Sequence, residues 1–234
     1  MLLKRLFTIA AATVIALSCN GSTSLAQGKQ TDQGERASKA ASVLKEIMEA
    51  PDQNIPEALL KKAQGILVIP HMVKGAFGLG GRYGKGLVAQ RNADGGWGTP
   101  LFVDIGGGSF GLQIGVEATD VVMIFTNNEG IKGLLKGKLK LGADASATAG
   151  PVGRKAEIGT DVLLKSAIYS YSRSKGLFAG VALDGAVLDL DGSANEAVYG
   201  KESNAADLST RRVSAAANAV VGPFLLALQK YAAK

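Results

Sequence analysis

The stretch DIGGGSFGLQIG, residues 104–115, places Gly106, Gly108 and Gly111 at the G-x-G-x-x-G spacing of a dinucleotide-binding turn, just after a strand-like run from Leu101 to Ile105. That chemistry requires a helix directly after the glycines, because the helix N-terminus receives the pyrophosphate. The residues that follow, LQIGVEATDVVMIF, alternate, carry β-branched side chains and contain Gly115, so they read as strand. A second run, GLGGRYGKG at 78–86, fails as a phosphate loop on its letters. Leu79 stands five places before Gly84 where a glycine is needed, and Gly86 follows Lys85 where Ser or Thr is needed. Glycines inside strands mark bulges, bends or close backbone approach. Fourteen of them between Gly75 and Gly115 predict a strongly bent, barrel-like sheet. No nucleotide cofactor is expected.

Other chemistry is thin. His71 is the only histidine and Cys19 the only cysteine, so a nucleophile–histidine pair or a zinc site has almost nothing to use. His71 follows Pro70 at the end of a strand-like run and reads as a turn residue. Asp189, Asp191, Asn195 and Glu196 lack the glycine that a calcium loop of the EF-hand kind requires at its sixth position. Asp191-Gly192 reads instead as a turn and Asn195 to Tyr199 as a short helix. No metal, no cofactor and no catalytic residue are expected.

Charge offers more. From Ala58 to Ala93 there is no Asp or Glu, while Lys61, Lys62, Lys74, Arg82, Lys85 and Arg91 fall inside. A second basic cluster is Lys132, Lys136, Lys138 and Lys140, and acidic residues gather late, from Asp184 to Asp207. One-sided stretches create a local field that attracts anions or an anionic surface. The overall excess of basic residues is modest, and no nucleic-acid partner is expected. The candidate lipid-binding residues are Lys74, Arg82, Lys85, Arg91, Lys132, Lys136, Lys138 and Lys140.

The elements that must position these groups follow from the pattern. Residues 1–26 read as a signal peptide: Lys4 and Arg5, an apolar run from Leu6 to Leu17, then Ser24-Leu25-Ala26 before the expected cleavage. This places the protein in the periplasm or outside the cell. Ala16-Leu17-Ser18-Cys19 also resembles a lipobox, the alternative being a membrane-anchored lipoprotein through Cys19. Residues 27–34 are polar and are expected as a flexible lead, and residues 35–234 as one domain. Ala37, Ala40, Ala41, Leu44, Ile47 and Met48 recur at helical spacing, which predicts an amphipathic helix over 35–50 that Pro51 stops. A short second helix is expected over 57–64. GILVIP then begins a series of glycine-punctuated strands to about Phe125, with a hairpin turn at Asp94-Gly95-Gly96. Asn127-Asn128-Glu129 offers a cap for a short helix through Leu135, three further strand regions follow up to Leu190, and Ser209 to Val221 and the segment from Pro223 return to helix. Neighbouring strands joined by short turns pair antiparallel, so the fold class is α+β, with a bent, glycine-rich sheet between N- and C-terminal helices.

In that order the residues AQGILVIP, GGWGTPLFV, GSFGLQIGVEATDVVMIF, LGADASATAGPVGR, IYSYSRSKGLFAGVALDG and NEAVYG resemble the SYLF domain family over about residues 35–231. The resemblance implies a lipid-binding module without turnover. Eukaryotic members bind phosphoinositides and some bind actin filaments, but no actin-binding extension is visible here. The partner expected is an anionic membrane lipid, met through the basic clusters and the amphipathic helix. The alternative is a structural envelope protein that binds another protein through the same surface.

Overall fold

The computed structural model describes residues 20–50, 54–77, 79–110, 115–152, 166–174 and 176–233. Helix α1 (Asn20–Met48) is followed by α2 (Glu57–Lys62) and four long strands: β1 (Gly65–Phe77), β2 (Leu79–Gln90), β3 (Leu101–Phe110) and β4 (Gly115–Phe125). Then come α3 (Asn128–Leu135), β5 (Lys138–Lys140), β6 (Ala147–Ala149), β7 (Ile168–Ser174), β8 (Leu177–Gly180) and β9 (Val187–Leu190). Helices α4 (Gly192–Tyr199), α5 (Ala205–Thr210) and α6 (Gly222–Tyr231) end the fold. The strands form one curled sheet in the order β5-β9-β3-β2-β1-β4-β7-β6, with β8 paired to β7. Every described pairing is antiparallel except β6 with β7. The α+β class and the bent sheet between terminal helices are as the sequence predicts.

Both faces of the sheet are covered, which explains why GILVIP is apolar without alternation. Ile66 and Val68 point to a core shared with α1, α4 and α6. Leu67 and Ile69 point to a second core closed by α3, Leu183, Leu188 and Leu208. The apolar stripe of α1, Ala37, Ala40, Val43, Leu44 and Ile47, is fully inside the first core. Asn127 caps α3 as expected, its side chain accepting from the N–H groups of Glu129 and Gly130.

Several boundaries differ from the sequence reading. Residues 27–34, expected as a flexible lead, are helical and belong to α1, since the segment holds no proline to stop a helix begun earlier. Cys19 lies outside the described residues, and the expected cleavage point after Ala26 falls within α1. The long strands run through glycines expected to end them, because a glycine without a side chain still offers its N–H and C=O to the ladder. Ser209 to Val221 is not one helix: α5 ends at Thr210, turns follow, and α6 starts only at Gly222 with Pro223 in its first turn.

Candidate functional site

The four long strands outrun the helices that cover them. At His71 the register slips in both of its pairings, between Val68 and Val73 against β2 and between Ile69 and Met72 against β4. His71 is the only non-glycine described residue with positive φ, at 51°, and its N–H donates to the Asp120 carboxylate at 2.9 Å. Beyond this bulge the ends of β1 to β4 project as a blade. Val73 and Val116 on the blade, and Tyr83 at its base, are large apolar side chains left exposed. Leu177, 72% exposed at the β7–β8 turn, joins them, because Ser174 beside it donates to Glu117 of the blade. Four of the six large apolar side chains exposed among the described residues therefore sit at one end of the sheet.

The strand period separates the charges there. Val73, Tyr83 and Lys85 share the face of α1, while Lys74 and Arg82, directly opposite each other across β1 and β2, share the other face. Among the described residues neither Lys74 nor Arg82 makes an ion pair. Glu117 lies across from Lys74 on β4.

At the foot of the blade, on the α1 face, lies a group that sequence reading missed. Arg36 of α1 is 9% exposed; its guanidinium donates to Asp191 at 2.8 Å, to Asp104 at 3.3 Å and to the Val103 carbonyl. Lys85 donates to Asp191 at 3.3 Å. Burial alone would raise the Asp191 pKa, but the Arg36 guanidinium, the Ala194 N–H and the Ser193 hydroxyl outweigh it and hold it at about 2. Asp104 goes the other way: burial and the neighbouring Asp191 raise it against the pull of Lys85 and Arg36. Lys85 is raised in turn, the two carboxylates outweighing its own burial. A groove of about 640 Å³ between α1 and the bulge opens over this network, lined by Asp32, Lys39, His71 and Tyr83 among others. A second link pins the helix: Arg173 on β7 joins Asp120 at 2.7 Å and also Glu46 of α1. Arg36 and Asp191 are themselves 155 residues apart, so no local spacing announces the pair.

The eight basic residues singled out in the sequence do not form one patch. Lys74 and Arg82 are together on the blade, and Lys85 is on the opposite face in the ionic network. Arg91 is buried at the far end of the sheet, donating to the carbonyls of Ala63, Leu60, Gly95 and Ala232 and stacked 4.2 Å from the centre of the Trp97 ring. Burial lowers its pKa, and its role is to tie four segments together. Lys132 on α3 and Lys136 at its C-terminal cap are exposed, and α3 packs by Ile131 against Gly65, the end of β1 away from the blade. Lys138 and Lys140 are on the edge strand β5, Lys138 paired with Asp189 at 3.4 Å. The apolar stripe of the 35–50 helix faces the core and is not open to a membrane. Among the described residues no group of three His, Cys, Asp or Glu could hold a metal ion, and no helix is long and apolar enough to cross a membrane.

A curled α+β sheet with helices at both ends and an apolar, basic blade defines the class of molecule. The chain belongs to the Ysc84 family, described as Las17-binding protein actin regulator, whose model matches residues 106–231. It is 36% identical over 183 residues to "Protein YSC84" of Saccharomyces cerevisiae, an alignment covering 75% of this chain and 39% of that protein. It is 34% identical over 183 residues to "LAS seventeen-binding protein 3" of the same yeast, covering 75% and 40%. It is 34% identical over 178 residues to the human "SH3 domain-containing YSC84-like protein 1", covering 74% and 52%. The chain thus spans between about two fifths and half of the length of these relatives.

Proposed function

We propose that this chain is a non-catalytic binding module of the cell envelope whose blade end docks on anionic phospholipid. One observation carries the reading: Val73, Tyr83, Val116 and Leu177 stand exposed at the same end of the sheet as Lys74 and Arg82, two cations that make no ion pair among the described residues. Apolar side chains enter the boundary between headgroups and acyl chains, a tyrosine ring suits that boundary, and neighbouring cations meet lipid phosphates. Apolar contact is made by the blade and not by α1, and Arg91 is outside the contact set. Lys132, Lys136, Lys138 and Lys140 become a separate surface. Export through the signal peptide, with or without a lipid on Cys19, belongs to the same proposal and gives the blade a membrane to meet.

The test is co-sedimentation with vesicles of neutral phosphatidylcholine alone or mixed with phosphatidylglycerol. Acidic vesicles should retain the protein and neutral ones should not. Each cation at an anionic surface contributes about 1 kcal/mol, so Lys74→Gln with Arg82→Gln should weaken retention by about 30-fold. Val116→Asp with Leu177→Asp should weaken it as well, whereas Lys132→Gln with Lys136→Gln should not. Equal behaviour of the two lysine-containing pairs would overturn the reading.

A second reading has its own support, since relatives carry names that record binding to a protein. Here the blade would seat a protein partner. Blade variants that lose nothing on vesicles would favour that partner.

A further inference from the structure

The groove of about 640 Å³ between α1 and the bulge of β1 has two walls of different charge. Its helix wall presents Asp32 and Glu35, three residues apart on one face of α1. Glu35 is met at 2.7 Å by Lys39, an exposed pair on the helix surface that exchanges partners at little cost. Asp32 is exposed and makes no ion pair among the described residues. The strand wall presents Lys85 and His71, with the exposed Tyr83 ring among them. Lys85 is 49% exposed, and its ammonium gives one bond to Asp191 and keeps donors for the groove.

His71 marks the strand wall as more than a structural feature. A left-handed backbone suits glycine, and a residue with a side chain there is strained. The bulge nevertheless carries an imidazole, 72% exposed, while the Asp120 carboxylate holds the His71 N–H. A glycine would form the same bulge and donate the same N–H. What the imidazole adds is a polar group at the mouth of the groove, and strained residues of this kind collect at ligand sites.

The signs of the charges select the ligand. Below the groove Arg36 and Lys85 are matched by Asp104 and Asp191, and on α1 Lys39 is matched by Glu35. A simple anion would find no excess of positive charge, and Asp32 would repel it. A ligand with one cation and one anion on a short linker meets both walls. A primary ammonium brings three N–H donors to the carboxylates; a trimethylammonium brings none and is held by a cage of aromatic rings. Of Phe, Tyr and Trp side chains the groove has one, Tyr83. Val73 and Tyr83 both line the groove and belong to the apolar contact set of the blade, so the groove opens where headgroups would lie.

We propose that this groove is a headgroup site for phosphatidylethanolamine, with the ammonium against Asp32 and Glu35 of α1 and the phosphate against Lys85 and His71 of the strands. The lipid as source rests on the docking of the blade described above; recognition of the phosphoethanolamine group does not.

Calorimetric titration of the whole protein with water-soluble glycerophosphoethanolamine tests the group without a membrane. The dissociation constant should be on the order of 1 mM or below, with glycerophosphocholine and inorganic phosphate weaker by about tenfold or more. Asp32→Asn, which keeps the side chain's shape, should raise the constant about tenfold. His71→Gly should raise it as well, with the thermal midpoint unchanged or higher, a combination that a merely structural histidine would not give. Lys74→Gln with Arg82→Gln should leave the constant alone while weakening vesicle retention, so the two readings fail separately. At a fixed fraction of phosphatidylglycerol, replacing phosphatidylcholine by phosphatidylethanolamine should increase retention of the unaltered protein and not of Asp32→Asn. No saturable binding of glycerophosphoethanolamine, equal binding of the choline compound or of phosphate, or an unchanged constant in either single variant would each overturn the site. Binding of the soluble compound with no response to phosphatidylethanolamine in vesicles would overturn the lipid as its source.

Discussion

At the scale of single residues, the Arg36–Asp191 pair does the most to hold α1 in place. Both side chains are more than nine-tenths buried, and removing one member of such a pair leaves the other's charge uncompensated at about 3–5 kcal/mol. Asp191→Asn, which preserves the cap on α4, should therefore lower stability by about that amount in urea unfolding. Arg36→Met should do the same, and the double variant should cost clearly less than the two singles added. The pair also sets an acid limit. Asp191 is held at about 2, below its ordinary value of 3.8, so its contribution is present above about pH 4 and is lost as pH falls through about 2. That amounts to about 2 kcal/mol at most, reduced by Asp104, whose raised pKa works in the opposite direction. Urea midpoints at pH 7, 4 and 2 should fall mainly between the last two, and Asp191→Asn should flatten that fall.

Among the elements, the strands show how differently one residue type can act. A Cβ on Gly86 would press on the Val68 carbonyl and come within 2.9 Å of the Ile69 backbone, where β1 bulges toward β2. Gly86→Ala should destabilise by about 2 kcal/mol or more, as overpacking against backbone does. Gly106, in the stretch that imitates a nucleotide fingerprint, has open space around it. Gly106→Ala should be neutral or raise stability by up to about 1 kcal/mol, with thermal unfolding as the measure. The sequence shows that such glycines lie in strands, because LQIGVEATDVVMIF alternates, but not which of them face a neighbouring backbone. The α+β class, the Asn127 cap and the Asp94-Gly95 turn were legible because each depends on residues a few positions apart. The ionic foot of the blade was not: Arg36 looks like an ordinary helix cation until α1 is laid against β3 and α4. Arg91 misleads for the same reason, counted as an exposed cation while its acceptors are carbonyls that carry no sequence signal. Arg82 and Lys85, three positions apart, fall on opposite faces by the strand period alone, but only once β2 is known to run unbroken through Gly84.

On the scale of the whole molecule, the two ends of the described chain are packed together. The last helix, α6, lies along α1; Phe224, Leu225 and Leu228 share its core, and the Ala232 carbonyl takes one of the four Arg91 bonds. A chain ending at Val221 should show no cooperative thermal transition, whereas one ending at Ala233 should match the full protein. Most of the α1-side core thus joins segments that are far apart along the chain, and such long-range contacts form slowly. During synthesis, the sheet face that receives α1 cannot be sealed until Ala232 has been made. The folded domain therefore needs α1 and α6 together, and at ribosomal speeds of roughly 5–20 residues per second the chain stays open for some seconds between making the one and the other.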